Sequence, residues 1–204
     1  MSDQPSGDET FEARRERLLE IVRGRALTRF EQPRQLASGE SSRDFVDAKR
    51  GLCRGADLRL ACGVIADMVA GAGIGFDAVG GLTLGADQFS HGVAMHLGDD
   101  HEWFVVRKKA KGRGTDQLVE GAVLGPGTRV LLVDDIVTTG GSIQQAYRDV
   151  VATEATVVAA VTLVDRGAVA SLFFDAEGVA YLPVFTYRDL GIEPVGAGPV
   201  ESPE

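Results

Sequence analysis

Short apolar runs alternate with amphipathic stretches along most of the chain. The runs at 130–133 and 157–161 are continuously apolar, which is typical of strands that are buried on both faces of a sheet. Between them, apolar residues recur at helical spacing. Strands that alternate with helices in this way predict an α/β fold with a mainly parallel sheet. In such sheets, ligands bind beyond the carboxyl ends of the strands.

The same pattern predicts the individual elements. We expect an amphipathic helix over 11–30 and a polar region over 33–54 with a short extended piece at 44–47. Further helices are predicted over 56–70, 86–96, 141–151 and 169–176, and strands over 76–80, 103–107, 129–133, 157–164 and 179–185. Residues 108–127 show no periodicity, and a structureless stretch of that length is typical of a functional loop.

Both ends of the chain differ in composition from the rest. Residues 1–10 and 191–204 are rich in Pro, Gly, Ser and acidic residues, which predicts disordered tails. A single domain over 11–190 remains, since about 100–200 residues is the usual size of one domain.

Charge and composition exclude several classes of protein. With 30 acidic and 21 basic residues, the net charge is −9, and a protein of that charge is not a general nucleic-acid binder. No apolar run is long enough to span a bilayer, and the polar N-terminus has no signal-peptide core. The two cysteines lack metal or disulfide spacing, so we expect reduced thiols and a cytoplasmic protein without membrane or nucleic-acid partners.

The basic residues are unevenly distributed. Lysine occurs at only four positions, and three of them, Lys108, Lys109 and Lys111, lie in the segment Arg107–Arg113. This segment carries +5, whereas the rest of the chain carries −14. Such a local reversal of charge indicates a binding region for a small anionic ligand.

One segment combines acidic residues with a glycine-rich loop. The predicted strand at 129–133 leads into Asp134 and Asp135, and the loop Thr138–Ser142 then opens a predicted helix. Hydroxyls and free N–H groups at a helix N-terminus suit a phosphate. The two carboxylates would repel that phosphate, but they can accept hydrogen bonds from vicinal hydroxyls. The segment therefore predicts a ribose 5-phosphate site, the alternative being a turn in which Asp and Thr only cap the helix.

This segment resembles the signature of type I phosphoribosyltransferases that binds 5-phosphoribosyl 1-diphosphate (PRPP). Residues 104–121 resemble the flexible catalytic loop of the orotate enzymes, R-K-x-x-K-x-H-G followed by E-G, and residues 79–87 resemble a bacterial form of the pyrophosphate loop. Residues 36–40 and 44–47 resemble the N-terminal substrate segment, and 164–167 the strand end with the base-contacting arginine. The resemblance implies a doubly wound sheet flanked by helices, with a small N-terminal hood mainly over 11–54.

The resemblance also implies an activity. The protein would transfer the phosphoribosyl group of PRPP to orotate, giving orotidine 5′-phosphate and pyrophosphate in pyrimidine (UMP) biosynthesis. Mg²⁺ would be carried by PRPP rather than held by a protein metal site. A homodimer is implied, in which the basic loop of one subunit reaches the site of the other.

Residue roles follow from the same resemblance. The diphosphate would be bound by Arg107, Lys108, Lys111 and Arg113, and the ribose hydroxyls by Asp134 and Asp135. The 5-phosphate would be bound by Thr138, Thr139, Gly140, Gly141 and Ser142, and the base by Thr138, Arg166 and Phe45. The catalytic group would be Lys108, Lys111, Arg113, Asp134 and Asp135. Two alternatives stay open, namely an ion pair of Arg166 with Asp165 and a core position for Phe45.

Three positions depart from the common family pattern. Arg113 stands where the loop usually has histidine, and Ala37 and Leu84 stand where lysines are usual. Arginine cannot donate a proton near neutral pH as histidine can. The sequence thus leaves open a PRPP-binding regulatory module or a transferase for another base, although the lysine-rich loop favours an enzyme.

Overall fold

A small N-terminal subdomain precedes the main sheet. The computed structural model describes residues 9–36, 38–109 and 118–196. Helix α1 (Phe11–Ile21) continues into a π-helical turn (Val22–Ala26), followed by strands β1 (Leu27–Gln35) and β2 (Ser41–Val46) and the short helix α2 (Ala48–Gly51). The two strands form an antiparallel hairpin sheet of their own. This region corresponds to the predicted hood.

The main sheet contains the other six strands. They are β3 (Ala78–Leu82), β4 (Glu102–Val106), β5 (Val119–Gly121), β6 (Arg129–Val137), β7 (Thr156–Asp165) and β8 (Ala180–Thr186). Their spatial order is β5-β4-β3-β6-β7-β8, and every neighbouring pair is parallel except β4 and β5.

Helices cover both faces of this sheet. They are α3 (Gly55–Gly71), α4 (Asp87–Leu97), α5 (Gly141–Val151), α6 (Val169–Ala176) and the short α7 (Tyr187–Leu190). Leu18 and Phe89 belong to the core on one face, and Ile143 and Phe174 belong to the core on the other. The doubly wound, mainly parallel α/β fold is therefore confirmed. No helix in the described part of the chain is long and apolar enough to cross a membrane.

The predicted helix over 11–30 is wrong beyond residue 26, and the polar region that follows is more ordered than predicted. Leu27 pairs with Val46 and Thr28 pairs with Phe45, which makes this segment one strand of the hairpin. The register shifts between Arg29 and Arg34, so the two strands do not alternate evenly. This irregularity explains why periodicity alone did not reveal them.

Two other predicted boundaries also change. The strand predicted over 129–133 continues to Val137, so the acidic residues lie within β6 and not after it. The stretch 108–127 contains the short strand β5, which pairs with β4. Three residues of an edge strand are too few to give a periodic signal.

The C-terminal boundary lies later than residue 190. Ile192 and Val195 are buried, and the Val195 N–H donates to the carbonyl of Arg166 at 2.7 Å. Residues 191–196 thus pack on the domain, whereas 197–204 lie outside the described residues. At the other end, Thr10 caps α1, and residues 1–8 lie outside the described part.

Candidate functional site

The carboxyl ends of β3, β6 and β7 meet at one edge of the sheet. In parallel α/β sheets this edge gathers the loops that bind ligands. Here the loop 83–86 follows β3, and Arg166 follows β7. The acidic pair lies on β6, and the loop Thr138–Ser142 follows that strand. β6 pairs with β3 only as far as Leu132, so the acidic residues lie where these two strands have separated.

Asp134 and Asp135 are held by their own backbone. The Asp135 N–H donates to Asp134 Oδ1 at 2.9 Å, and the Ile136 N–H donates to Asp135 Oδ1 at 2.8 Å. Gly85 approaches both carboxylates so closely that a Cβ atom there would lie 2.6 Å from each Oδ1. A residue with a side chain at position 85 would displace the carboxylates, so the loop after β3 depends on this glycine.

The electrostatics of the pair are unfavourable without a ligand. Asp134 is only 4% exposed, and burial, followed by repulsion from Asp135, raises its pKa above the ordinary value. The compensating cation is Lys49, whose Nζ lies 2.5 Å from Asp135 Oδ2. Lys49 was not among the predicted site residues. Its one signal in the sequence is that it is the only lysine outside the basic segment.

The loop after β6 presents an open helix N-terminus. Gly140 adopts a left-handed conformation with φ of 75°, and no side chain caps α5. Thr138 and Thr139 are half-buried, whereas Gly141 and Ser142 are exposed. Uncapped N–H groups at the start of an 11-residue helix can bind an anion. This is the geometry predicted for the phosphate loop.

Arg166 lies under the hairpin and is 1% exposed. Its Nη1 donates to the carbonyl of Asp44 at 2.9 Å and its Nη2 to Ser42 Oγ at 3.0 Å, while Nε has no hydrogen-bond partner among the described residues. Burial lowers the pKa of the guanidinium, and Asp44 opposes this effect. Asp165 accepts from the Gly167 N–H, so the guanidinium bonds to the hood instead of forming the alternative ion pair.

Phe45 is on the outer face of β2. It is 44% exposed, and the burial along β2 alternates so that its neighbours Asp44 and Val46 face inward. The alternative of an ordinary core aromatic therefore does not hold. The structure leaves this ring accessible.

The basic segment begins at the end of β4, two strands from the acidic pair. Arg107 Nη1 is 3.0 Å from Glu120 Oε1 on β5, and Lys108 is exposed. Arg107 is thus bound to the neighbouring edge strand and is not brought to the carboxylates. Lys111, Arg113 and Ala37 lie outside the described residues.

The C-terminal segment packs beside the loop after β6. A Cβ atom at Gly167 would lie 2.6 Å from the carbonyl of Val195 and 3.2 Å from the carbonyl of Thr138. Residues 195–196 therefore form one wall next to this loop. The sequence analysis assigned them to a tail because their composition is rich in Pro and Gly.

The described residues contain no cluster of metal-ligating side chains. Over residues 9–36, 38–109 and 118–196 there is no group of three or more His, Cys, Asp or Glu side chains that could hold a metal ion. Cys53 is exposed, Cys62 is buried, and both are free thiols.

Comparisons with known proteins agree with this arrangement. Residues 58–171 match the family described as a phosphoribosyl transferase domain. An orotate phosphoribosyltransferase from Thermococcus gammatolerans is 36% identical over 155 residues, which covers 76% of this chain and 80% of the relative. One from Mycobacterium bovis is 34% identical over 177 residues, covering 87% and 93%.

A solved structure of a related enzyme is also similar to this chain in its three-dimensional fold. The orotate phosphoribosyltransferase of Mycobacterium tuberculosis in complex with PRPP matches with a TM-score of 0.72 and 33% identity. The match covers 88% of this chain and 99% of that one.

The buried acidic pair gives a testable prediction for stability. Asp134→Asn should stabilise the ligand-free protein at about pH 8 by roughly 1–2 kcal/mol, because it removes a buried charge and keeps the oxygen that accepts from Asp135. A carboxylic acid whose pKa is raised by folding destabilises the folded state at every pH above its ordinary pKa. Below about pH 4 it is protonated in both states and has no such effect. The gain should appear as a Tm increase of about 2–8 °C that shrinks as the pH falls.

The exposed Asp99 provides the matched control. Asp99→Asn should leave Tm nearly unchanged at both pH values. A lower Tm for Asp134→Asn at about pH 8 would contradict the assigned cost of burial.

Proposed function

Because the chain belongs to the phosphoribosyltransferase family, we propose that it transfers the 5-phosphoribosyl group of PRPP to orotate. The products are orotidine 5′-phosphate and pyrophosphate, and the reaction belongs to pyrimidine (UMP) biosynthesis. The observation that carries this proposal is the buried acidic pair beside an open helix N-terminus at the carboxyl edge of the sheet. Relatives named orotate phosphoribosyltransferase over most of the chain support orotate as the acceptor.

The ribose 5-phosphate part of PRPP fits the β6 edge. Asp134 and Asp135 accept hydrogen bonds from the two ribose hydroxyls, and the 5-phosphate receives N–H and hydroxyl donors from residues 138–142. The start of α5 adds a favourable dipole for that phosphate. These contacts fix the sugar while its anomeric carbon reacts.

The chemical step exchanges one bond at the anomeric carbon. The bond from that carbon to the diphosphate oxygen breaks, and a bond forms to a ring nitrogen of orotate, which loses its proton. Negative charge therefore collects on the departing pyrophosphate. Arg107, Lys108, Lys111 and Arg113 neutralise it, and closing the loop keeps water from the ribosyl centre.

The base lies between the hood and the end of β7. Arg166 binds the carboxylate of orotate, Phe45 packs on its ring, and Thr138 lies close to both base and phosphate. The role of Arg166 is supported by its hydrogen bonds to the inward side of β2. Phe45 is on the outward side of the same strand in this structure, so its ring must turn inward to pack on the base. The exposure of the Phe45 ring leaves it available for stacking.

Mg²⁺ enters with PRPP. In phosphate-transfer sites this ion usually keeps several waters and binds substrate phosphates together with one or two carboxylates. The site offers two adjacent carboxylates and a basic segment, which fits an ion that arrives with the diphosphate. The ion supplies charge neutralisation on the leaving group when it is bound.

The oligomer and the location are further parts of the proposal. The protein is a homodimer whose basic loop completes the partner's site, which agrees with the distance along the sheet between Arg107 and the acidic pair. The free thiols support a cytoplasmic location.

The activity is tested directly with orotate, PRPP and Mg²⁺. The purified protein should consume orotate, measured as loss of its ultraviolet absorbance, and release pyrophosphate in equal amount. Turnover of uracil or a purine but not of orotate would contradict orotate as the acceptor base. Such a result would still agree with membership of the phosphoribosyltransferase family. Binding of PRPP with no turnover of any base would instead indicate a regulatory module.

A second prediction concerns the basic loop. Lys111→Ala should lower kcat by about 100-fold or more and change KM for PRPP much less, since lost electrostatic donors act mainly in the transition state. Lys109→Ala is the matched control, because position 109 is variable in the loop pattern. Equal kcat values for the two variants would refute the role of Lys111.

A third prediction concerns the shared site. A subunit with Lys108→Ala and Lys111→Ala and a subunit with Asp134→Asn and Asp135→Asn should each be inactive alone. After co-expression, random pairing should restore about a quarter of wild-type activity, because half the dimers then contain one intact site. Mixed dimers that are detected by mass spectrometry yet remain inactive would show that the loop serves its own subunit.

A further inference from the structure

We propose that Lys49 is an additional PRPP-binding residue, which neutralises Asp135 in the free protein and moves to the diphosphate when the ribose hydroxyls bind Asp135. This inference rests on the proposed function. It assigns a role to the one lysine that lies outside the basic segment.

The position of Lys49 is fixed by the hood. Asp47 caps the short helix α2 by accepting from the Arg50 N–H at 3.1 Å, and the Asp47 N–H donates to the carbonyl of Ala26 at 2.9 Å. Ala48 and Gly51 are buried. The backbone of Lys49 is therefore held rigidly, and its side chain extends from the hood to the end of β6.

The ammonium group lies close to the loop after β3. Its Nζ is 2.5 Å from Asp135 Oδ2. Gly85 packs against the same carboxylate, since a Cβ atom at position 85 would lie 2.6 Å from Asp135 Oδ1. Lys49 thus contacts the carboxylate that separates it from the segment that resembles a pyrophosphate loop.

That segment has no cation of its own. Residues 79–87 contain neither lysine nor arginine, and position 84 is a leucine that is 70% exposed. A diphosphate bound there needs a positive charge. Lys49 is 48% exposed along its side chain, so the flexible stem is free to turn toward such a ligand.

The ion pair must also break for PRPP to bind as proposed. Asp135 Oδ1 already accepts from the Ile136 N–H and Oδ2 from Lys49. A ribose hydroxyl that donates to Oδ2 displaces the ammonium from its place. The released charge then offsets that of the diphosphate, which gives a physical link between binding of the sugar and binding of the leaving group.

The affinities for two ligands, PRPP and ribose 5-phosphate, distinguish a role of Lys49 in diphosphate binding from a purely structural role. Ribose 5-phosphate carries the hydroxyls and the 5-phosphate but lacks the diphosphate. Lys49→Met should weaken PRPP binding by about tenfold or more, the usual effect of losing a hydrogen bond to a charged group. The same variant should bind ribose 5-phosphate as tightly as wild type or more tightly, because the competing ammonium is gone.

The experiment is calorimetric titration of the full chain with PRPP and Mg²⁺, and separately with ribose 5-phosphate. Arg50→Gln is the matched control, since Arg50 lies on the same helix and contacts Thr28 Oγ1 in the hood. It should leave both affinities unchanged. Lys49→Arg should keep most of the PRPP affinity because it keeps the charge.

The outcomes are distinguishable from failure of the proposed function. If wild-type protein does not bind PRPP, the proposed function fails. If wild type turns over orotate but Lys49→Met binds PRPP normally, only this inference fails. An equal loss of affinity for both ligands would also overturn it, because that result indicates a displaced hood and not a lost diphosphate contact.

Discussion

Two neighbouring carboxylates at the end of one strand, Asp134 buried and Asp135 partly buried, are the constraint on which the rest of the site depends. Removing such charges from water is costly, and the repulsion between them adds to the cost. The fold offsets this with backbone N–H donors to one oxygen of each residue, with a lysine on Asp135, and with a glycine at position 85 that leaves room for both. The proposed ribose ligand would donate two hydroxyl hydrogen bonds to these carboxylates, which would link its affinity to the cost of burying them in the free protein.

The alternating strands and helices of the main sheet could be predicted from the sequence. The bounds of α5 and α6 agree with the prediction, and most strands agree within two residues, because continuous apolar runs and glycine-rich turns are local signals. The hairpin was not predictable in this way, since its strands are defined by pairing across a register shift between Arg29 and Arg34. The identity of the acidic pair and of the loop after it was predicted from residue chemistry alone.

The residues that were missed depend on tertiary packing. Lys49 is 86 positions from Asp135 along the chain, and only the tertiary fold brings its ammonium group to that carboxylate. Arg166 was predicted as a base-binding residue, and its hydrogen-bond partners on β2 could not be predicted from the sequence. A buried guanidinium that loses its partners is strongly destabilising. Arg166 therefore couples the position of the hood to the end of β7.

The packing of residues 191–196 has a consequence for the size of the folded unit. The Val195 N–H donates to the carbonyl of Arg166, and Gly196 lies next to the carbonyl of Thr138. A chain shortened before residue 195 would lose this hydrogen bond and one neighbour of the loop that follows β6, so the smallest unit that keeps the packing described here extends to residue 196.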